Sequence, residues 1–97
     1  MIRSFGYAAT EDFFNGRRSA SSRKIATTIR AAALRKLDIL NAATTVEDLR
    51  SPPGNRLEKL TGDLTGFYSV RINQQWRLIF RWNDGGADDV QIVDYHE

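Results

Sequence analysis

The hydrophobic pattern of this 97-residue chain changes its period at one segment, Ser51-Pro52-Pro53-Gly54-Asn55. Before the segment, apolar residues recur every three or four positions, as on one face of a helix. After it, they alternate with polar residues, as along a strand. Proline and glycine interrupt regular structure, so the segment separates the two kinds of element. Helices followed by strands predict an α+β fold, with the helices on one face of a small, mainly antiparallel sheet.

The first half predicts a short strand and two helices. Residues 2–5 are expected to form the strand, and Thr10 to start a short helix as its cap. A longer helix is predicted from Ser21 or Ser22 to about Ala43, a stretch without glycine or proline. Its apolar stripe has helical spacing: Ile25, Ile29, Ala33, Leu37 and Leu40.

The second half predicts an antiparallel meander. The strands are expected at residues 56–61, 67–72, 76–82 and about 90–95, with turns between them. In the third of these strands one row is apolar, namely Trp76, Leu78, Phe80 and Trp82. The opposite row is Arg77, Ile79 and Arg81. The helices are expected to cover the first row and to leave the second row on the uncovered face.

Composition limits the function. The length, with 41% hydrophobic and 27% charged residues, predicts a single globular domain over residues 1–97. Neither a membrane-spanning run nor a signal peptide is present, so we expect a cytoplasmic protein without a membrane partner. The absence of cysteine excludes disulfides and thiol nucleophiles, and a single histidine, His96, excludes a metal site built from imidazoles.

Arginine accounts for eleven of the fourteen basic residues, a bias that suits nucleic-acid binding but also follows from GC-rich coding. Three arginines fall on the strand rows predicted to be uncovered: Arg71, Arg77 and Arg81. Arg71 and Arg77 flank a tight hairpin, so we expect them to be cross-strand neighbours. Opposed like charges are unfavourable unless an anion binds between them. Ordinary ion pairs with carboxylates such as Asp63 and Asp94 are the alternative.

Three adjacent residues with different proton chemistry, Asp94-Tyr95-His96, lie near the end of the chain. Together they are candidates for an acid–base cluster. On a regular strand Tyr95 faces away from the other two, so the three converge only if the chain bends. A frayed terminus is the alternative. Phe67 shares the row of Arg71 and is a candidate for stacking on a nucleobase.

Three stretches of the second half carry a further pattern. They are residues 53–63, residues 68–82 with the segment Arg-Ile-Asn-Gln-Gln-Trp-Arg, and Val93-Asp94-Tyr95-His96. Together they resemble the HigB, or host inhibition of growth, branch of the RelE superfamily of bacterial toxins. The resemblance covers essentially the whole chain and implies the RelE-like fold.

The resemblance implies a toxin of a type II toxin–antitoxin system that is a ribosome-dependent mRNA endonuclease. Such a toxin cleaves mRNA in the ribosomal A site and thereby inhibits translation and growth. The ribose 2′-hydroxyl attacks the adjacent phosphodiester, and no metal or cofactor is needed. The implied partners are the ribosome, mRNA and a HigA-like helix-turn-helix antitoxin, in a heterotetramer that binds operator DNA.

The resemblance also implies roles for particular residues. Arg77 would stabilise the phosphate charge, His96 would transfer a proton, Tyr95 would orient the nucleotide or the histidine, and Asp94 would position the cluster. The implied RNA-binding residues are Arg56, Lys59, Phe67, Arg71 and Arg81.

The chain departs from this pattern at one strand. Relatives often have histidine or lysine before the Gly-Asp turn, where this chain has Glu58 and Thr61. Lys59 is out of register, so either it substitutes for that basic group or the group is missing. Two other functions stay open: a ParE-like toxin that binds gyrase without catalysis, and a degenerate toxin that acts as a corepressor of its antitoxin.

Overall fold

The computed structural model describes residues 1–95 of the chain. Two helices, α1 (Ala8–Phe14) and α2 (Arg30–Ala42), precede four strands. The strands are β1 (Glu58–Lys59), β2 (Tyr68–Arg71), β3 (Trp76–Asn83) and β4 (Gly86–Asp94). They form one antiparallel sheet in the order β1-β2-β3-β4. The predicted α+β fold is therefore confirmed.

The N-terminal segment lies parallel to β4. Isolated bridges pair Ile2 with Ala87 and Phe5 with Val90. The predicted strand over residues 2–5 is thus present as two bridges rather than a continuous strand. Between the bridges β4 carries a bulge, where Asp89 has a positive φ of 54° and donates its backbone N–H to Ser4 Oγ at 2.9 Å. The bulge adds a residue to β4 and interrupts the parallel pairing.

The long helix begins at Arg30, so the prediction that it begins at Ser21 or Ser22 was wrong. The preceding residues form two 3₁₀ turns, Ser22–Lys24 and Thr27–Ile29, with an extended Ile25 between them. β-Branched residues are frequent in this stretch and disfavour the helix. The Arg30 side chain also donates hydrogen bonds to the carbonyls of Ser22 and Ile25, at 3.1 and 3.2 Å. In the described part of the chain no helix is long and apolar enough to cross a membrane.

Helix α2 packs its apolar stripe on the sheet. Ala33, Leu37 and Leu40 are fully buried and share the main core with residues of all three longer strands. Leu78 and Phe80 of β3 are also fully buried in this core, and the flanking tryptophans of the same row pack against it. The predicted apolar row of β3 is therefore confirmed.

Two strand boundaries differ from the prediction. Strand β4 begins at Gly86, about four residues early, because pairing with β3 and with the N-terminal segment extends it through Asp88. Strand β1 contains only Glu58–Lys59, since Arg56 adopts the left-handed region at φ 47°. Asp84 and Gly85 both have positive φ, as a tight two-residue hairpin turn between β3 and β4 requires.

The joint between the helical and strand halves is held by a buried side chain, Asn55. Its amide donates hydrogen bonds to the carbonyls of Leu49 and Ser51, both at 3.2 Å, and its Oδ1 accepts one from Lys36 Nζ. Burial, together with neighbouring Arg35, lowers the pKa of Lys36. The segment that breaks the periodicity is thus anchored to α2.

We predict that Asn55→Ala lowers the free energy of unfolding by about 1–3 kcal/mol, because buried carbonyls and the Lys36 ammonium lose their partner. Urea denaturation measures this change. Gln74→Ala, at the exposed tip of a hairpin, is the matched control and should change stability little. Equal effects of the two substitutions would contradict the anchoring role of Asn55.

We also predict an acid-sensitive contact between the N-terminal segment and β4. A hydrogen bond from the Arg3 guanidinium, at 3.1 Å, lowers the pKa of Asp88. A carboxyl group with a depressed pKa stabilises the fold above its unfolded pKa of about 4, and this stabilisation is lost as the pH falls through the folded value. Below about pH 4 the unfolding free energy of the wild type should therefore fall more steeply than that of Asp88→Asn. If urea denaturation shows the unfolding free energies of the two proteins falling equally with pH, the contact between Arg3 and Asp88 makes no acid-sensitive contribution.

Candidate functional site

The sheet face opposite the helices, which we call the open face, combines a small apolar cluster with arginines. Leu60, Phe67 and Ile79 are buried there, with Val93 and Tyr95 packed against them. Two strand rows share this face. They are Arg77, Ile79 and Arg81 of β3 and, opposite them, Ser69 and Arg71 of β2. The predicted division of β3 into a core row and an arginine row is therefore confirmed.

Arg77 is the most buried charged residue of this face. It is only 4% exposed, and its Cζ lies 5.5 Å from the centroid of the Tyr95 ring. In register, Arg77 is paired with Arg71 on β2 and with Val93 on β4. The predicted cross-strand pair of arginines is thus confirmed. Tyr95 is held in place because its backbone N–H donates to the Gln75 carbonyl at 2.7 Å.

This arrangement concentrates positive charge at one point of the open face. Two like charges directly opposed across a strand pair destabilise it, and a guanidinium loses hydration when buried. The electron-rich face of Tyr95 offsets part of this cost. An anion bound between Arg71 and Arg77 would offset more, and a guanidinium is suited to two hydrogen bonds with one phosphate.

Asp94 is not on the same face as Arg77. It lies in register with Trp76, whose row faces the helix side, and its Oδ2 accepts a hydrogen bond from Gln75 Nε2 at 3.0 Å. The alternation that separates Asp94 from Tyr95 is as expected for a regular strand. The structure therefore brings Tyr95, but not the Asp94 carboxylate, to Arg77. His96 lies outside the described residues, and its role stays a prediction.

Arg81 covers the ring of Phe67. The Arg81 Cζ is 4.3 Å from the ring centroid, and Phe67 is 9% exposed. The Phe67 ring is thus buried beneath a guanidinium of the same protein, and its stacking on a nucleobase stays a prediction. Sequence reasoning also missed Asp89, whose Oδ2 lies 3.4 Å from Arg81 Nε. Its only signal in the sequence was the acidic pair before Val90.

Lys59 lies on the other side of β1 from the open face. Its partner in register is Tyr68, whose ring packs on the main core, and its Nζ is 5.8 Å from that ring. A groove of about 360 Å³ lies there, with Trp82 in its wall. Lys59 therefore does not take the place of a basic group beside Arg77. Exposed Arg56 precedes β1, so β2 lies between it and the strand of Arg77.

Comparison with known proteins identifies the family. The family model described as the RelE-like toxin of the type II toxin–antitoxin system HigB matches residues 3–96. The chain belongs to this HigB family. The resemblance carried by the Arg-Ile-Asn-Gln-Gln-Trp-Arg segment and the terminal Asp-Tyr-His is thereby confirmed, and the protein is a toxin of the type II class.

Individual relatives agree with this assignment. Toxin HigB-1 of Vibrio cholerae is 55% identical to this toxin over 65 residues, covering 67% of this chain and 68% of that protein. Endoribonuclease HigB of Proteus vulgaris is 30% identical over 61 residues, covering 63% and 65%.

Solved structures share the fold. The YoeB–YefM complex from Staphylococcus aureus matches with a TM-score of 0.60 at 20% identity, covering 100% of this chain and 99% of that one. YafQ from E. coli matches with a TM-score of 0.56 at 13% identity, covering 97% and 93%.

We predict that inorganic phosphate stabilises this toxin through the arginine pair. At tenfold its dissociation constant, a bound anion adds about 1.4 kcal/mol, or about 7 °C in Tm. Thermal unfolding in phosphate and in chloride of equal ionic strength measures the difference. Arg71→Gln and Arg77→Gln should each reduce the shift, whereas Arg35→Gln on α2 should preserve it. The same shift in all four proteins would show a general salt effect instead.

Proposed function

We propose that this toxin is a ribosome-dependent mRNA endonuclease that cleaves in the A site and so inhibits translation and growth. The observation that carries the proposal is the buried Arg77, which lies beside the Tyr95 ring and is opposed to Arg71 on the open face. Such a charged, partly dehydrated site suits the developing charge of a phosphate under attack. The name of the Proteus vulgaris relative, endoribonuclease, supports the same chemistry.

The reaction proposed is attack by a ribose 2′-oxygen on the adjacent phosphorus. The O2′–P bond forms, the P–O5′ bond breaks, and the products end in a 2′,3′-cyclic phosphate and a 5′-hydroxyl. The 2′-hydroxyl gives up its proton to a base, and the leaving oxygen takes one from an acid. Nothing in this sequence of bonds requires a metal ion or cofactor.

In this mechanism Arg77 binds the non-bridging oxygens and stabilises the dianionic phosphorane. Its burial strengthens this interaction, because electrostatic forces are less screened where water is scarce. Arg71 holds the neighbouring part of the backbone, and the bound phosphate relieves the repulsion between the two arginines. The Tyr95 ring lies 5.5 Å from the Arg77 Cζ and limits the movement of this side chain.

Proton transfer is assigned to His96, the residue after Tyr95. An imidazole titrates near neutral pH and is suited to one of the two transfers, with water carrying the other. Asp94 acts indirectly: it accepts a hydrogen bond from Gln75 and so fixes the end of β4 next to Tyr95.

Partners follow from the same proposal. Two arginines and one imidazole make a small site, and the ribosome supplies the remaining orientation of the message. We therefore propose that the toxin acts in the cytoplasm, where ribosomes translate the message. The inhibitor is a HigA-like helix-turn-helix antitoxin, in a heterotetramer that binds operator DNA. The structural match to YoeB in complex with YefM supports an antitoxin partner.

Primer extension on a translated message tests the activity. Arg77→Ala should reduce the cleavage rate by about 100-fold, because a preorganised charge donor is lost. Arg35→Ala, which removes the same charge from α2, is the matched control and should cleave normally. Equal cleavage rates for Arg77→Ala and the wild type would contradict the proposed role of Arg77 in stabilising the phosphorane.

Two further results decide between functions. If the wild type does not cleave the message, the proposed nuclease activity is contradicted, and a degenerate toxin that acts as a corepressor of its antitoxin is favoured. Growth arrest that persists after deletion of residues 95–97 would favour a gyrase binder, which has no need of an acid–base residue.

A further inference from the structure

A third arginine of the open face, Arg81, is held in position by three neighbours. Its guanidinium lies 4.3 Å over the Phe67 ring and 3.4 Å from the Asp89 carboxylate. At Gly66 a Cβ would lie 2.8 Å from Arg81 Nη1, and the φ of +96° at this position also favours glycine. The chain therefore leaves room for the guanidinium in this one position.

The orientation has a consequence for binding. The Arg81 Cζ lies over one side of the Phe67 ring and the Arg81 side chain is 45% exposed, so part of the guanidinium is accessible to a ligand. Guanidinium planes stack on unpaired bases much as aromatic rings do. Because the side chain is already ordered, binding costs less conformational entropy than it would for a mobile arginine.

Arg81 is too far along the strand to share a phosphate with Arg77. The two residues lie on the same side of β3 and are separated by four positions, which span ~13 Å in a strand. Buried Ile79 lies between them. A nucleotide at Arg81 is thus not the one whose phosphate meets Arg77.

We propose that Arg81 is a stacking platform for a base of the message outside the scissile step, and that Asp89 is its positioning residue. Asp89 holds the guanidinium over Phe67 and partly neutralises it, so that stacking rather than charge dominates this subsite. The proposal rests on the proposed nuclease function, since it supposes an RNA that runs along the open face.

The charge of Asp89 can be removed without disturbing the backbone. Its φ of 54° lies in the left-handed region, which asparagine tolerates as well as aspartate does. Asp89→Asn therefore removes the charge and keeps the backbone of the bulge. Asparagine also keeps a side-chain oxygen as an acceptor for the guanidinium, so Arg81 stays positioned over Phe67. With only the neutralising charge gone, Arg81 should bind RNA about two- to fivefold more tightly, and this binding should weaken more steeply with salt.

The test is the cleavage rate on message-programmed ribosomes as a function of toxin concentration. Arg81→Ala should raise the half-saturating concentration about tenfold and leave the maximal rate within about twofold, since stacking serves binding. Arg81→Lys keeps the charge without the plane and should resemble Arg81→Ala. Phe67→Leu keeps the buried volume without the aromatic support and should show the same change more weakly. Arg35→Ala should match the wild type.

A double-mutant comparison tests the role of Asp89. Asp89→Asn should lower the half-saturating concentration in the wild type and have no effect in Arg81→Ala. The stacking subsite would be overturned, and the nuclease function would stand, if Asp89→Asn had an equal effect in both backgrounds. The same would follow if Arg81→Ala had the half-saturating concentration of the wild type. Full rescue by Arg81→Lys would overturn stacking in favour of charge alone. Absence of cleavage by the wild type would overturn both proposals, so the two failures are distinguishable.

Discussion

The alternation of β3, which is paired on both sides within the sheet, determines most of this molecule. Its even-numbered positions supply Leu78 and Phe80 to the core beneath α2, and its odd-numbered positions supply Arg77 and Arg81 to the open face. A shift of one residue in register would exchange the two rows and bury the arginines under the helix. The same hydrogen bonds therefore build the core and hold the candidate site.

The opposed arginines Arg71 and Arg77 destabilise the sheet locally, and the rest of the fold compensates for this destabilisation. Arg71 and Arg77 oppose each other because the short hairpin between β2 and β3 leaves no other register for them. The buried cluster of Leu60, Phe67 and Ile79 lies on the same face of the sheet, and the Tyr95 ring lies against Arg77. Functional sites commonly sacrifice some stability in this way, because the charges must be ordered before the substrate arrives.

The sequence predicted what depends on local pattern. The rows of β3 and the Arg71–Arg77 pair followed from strict alternation and a tight hairpin. The start of α2 did not, because the preceding residues form 3₁₀ turns whose carbonyls accept hydrogen bonds from the Arg30 side chain, and the helix begins only at Arg30. The covering of Phe67 and the role of Asp89 depend on the β4 bulge, which is held by Ser4, a residue distant in sequence. No periodicity encodes such a contact.

The most direct measurement uses a message with a single 2′-deoxy nucleotide at the cleaved position, translated in the presence of the toxin. If the open face promotes attack by the ribose 2′-hydroxyl, the substitution abolishes cleavage at that position, and the unmodified message yields a 2′,3′-cyclic phosphate end. Undiminished cleavage of the deoxy message, or a 3′-hydroxyl end on the unmodified product, would contradict the account.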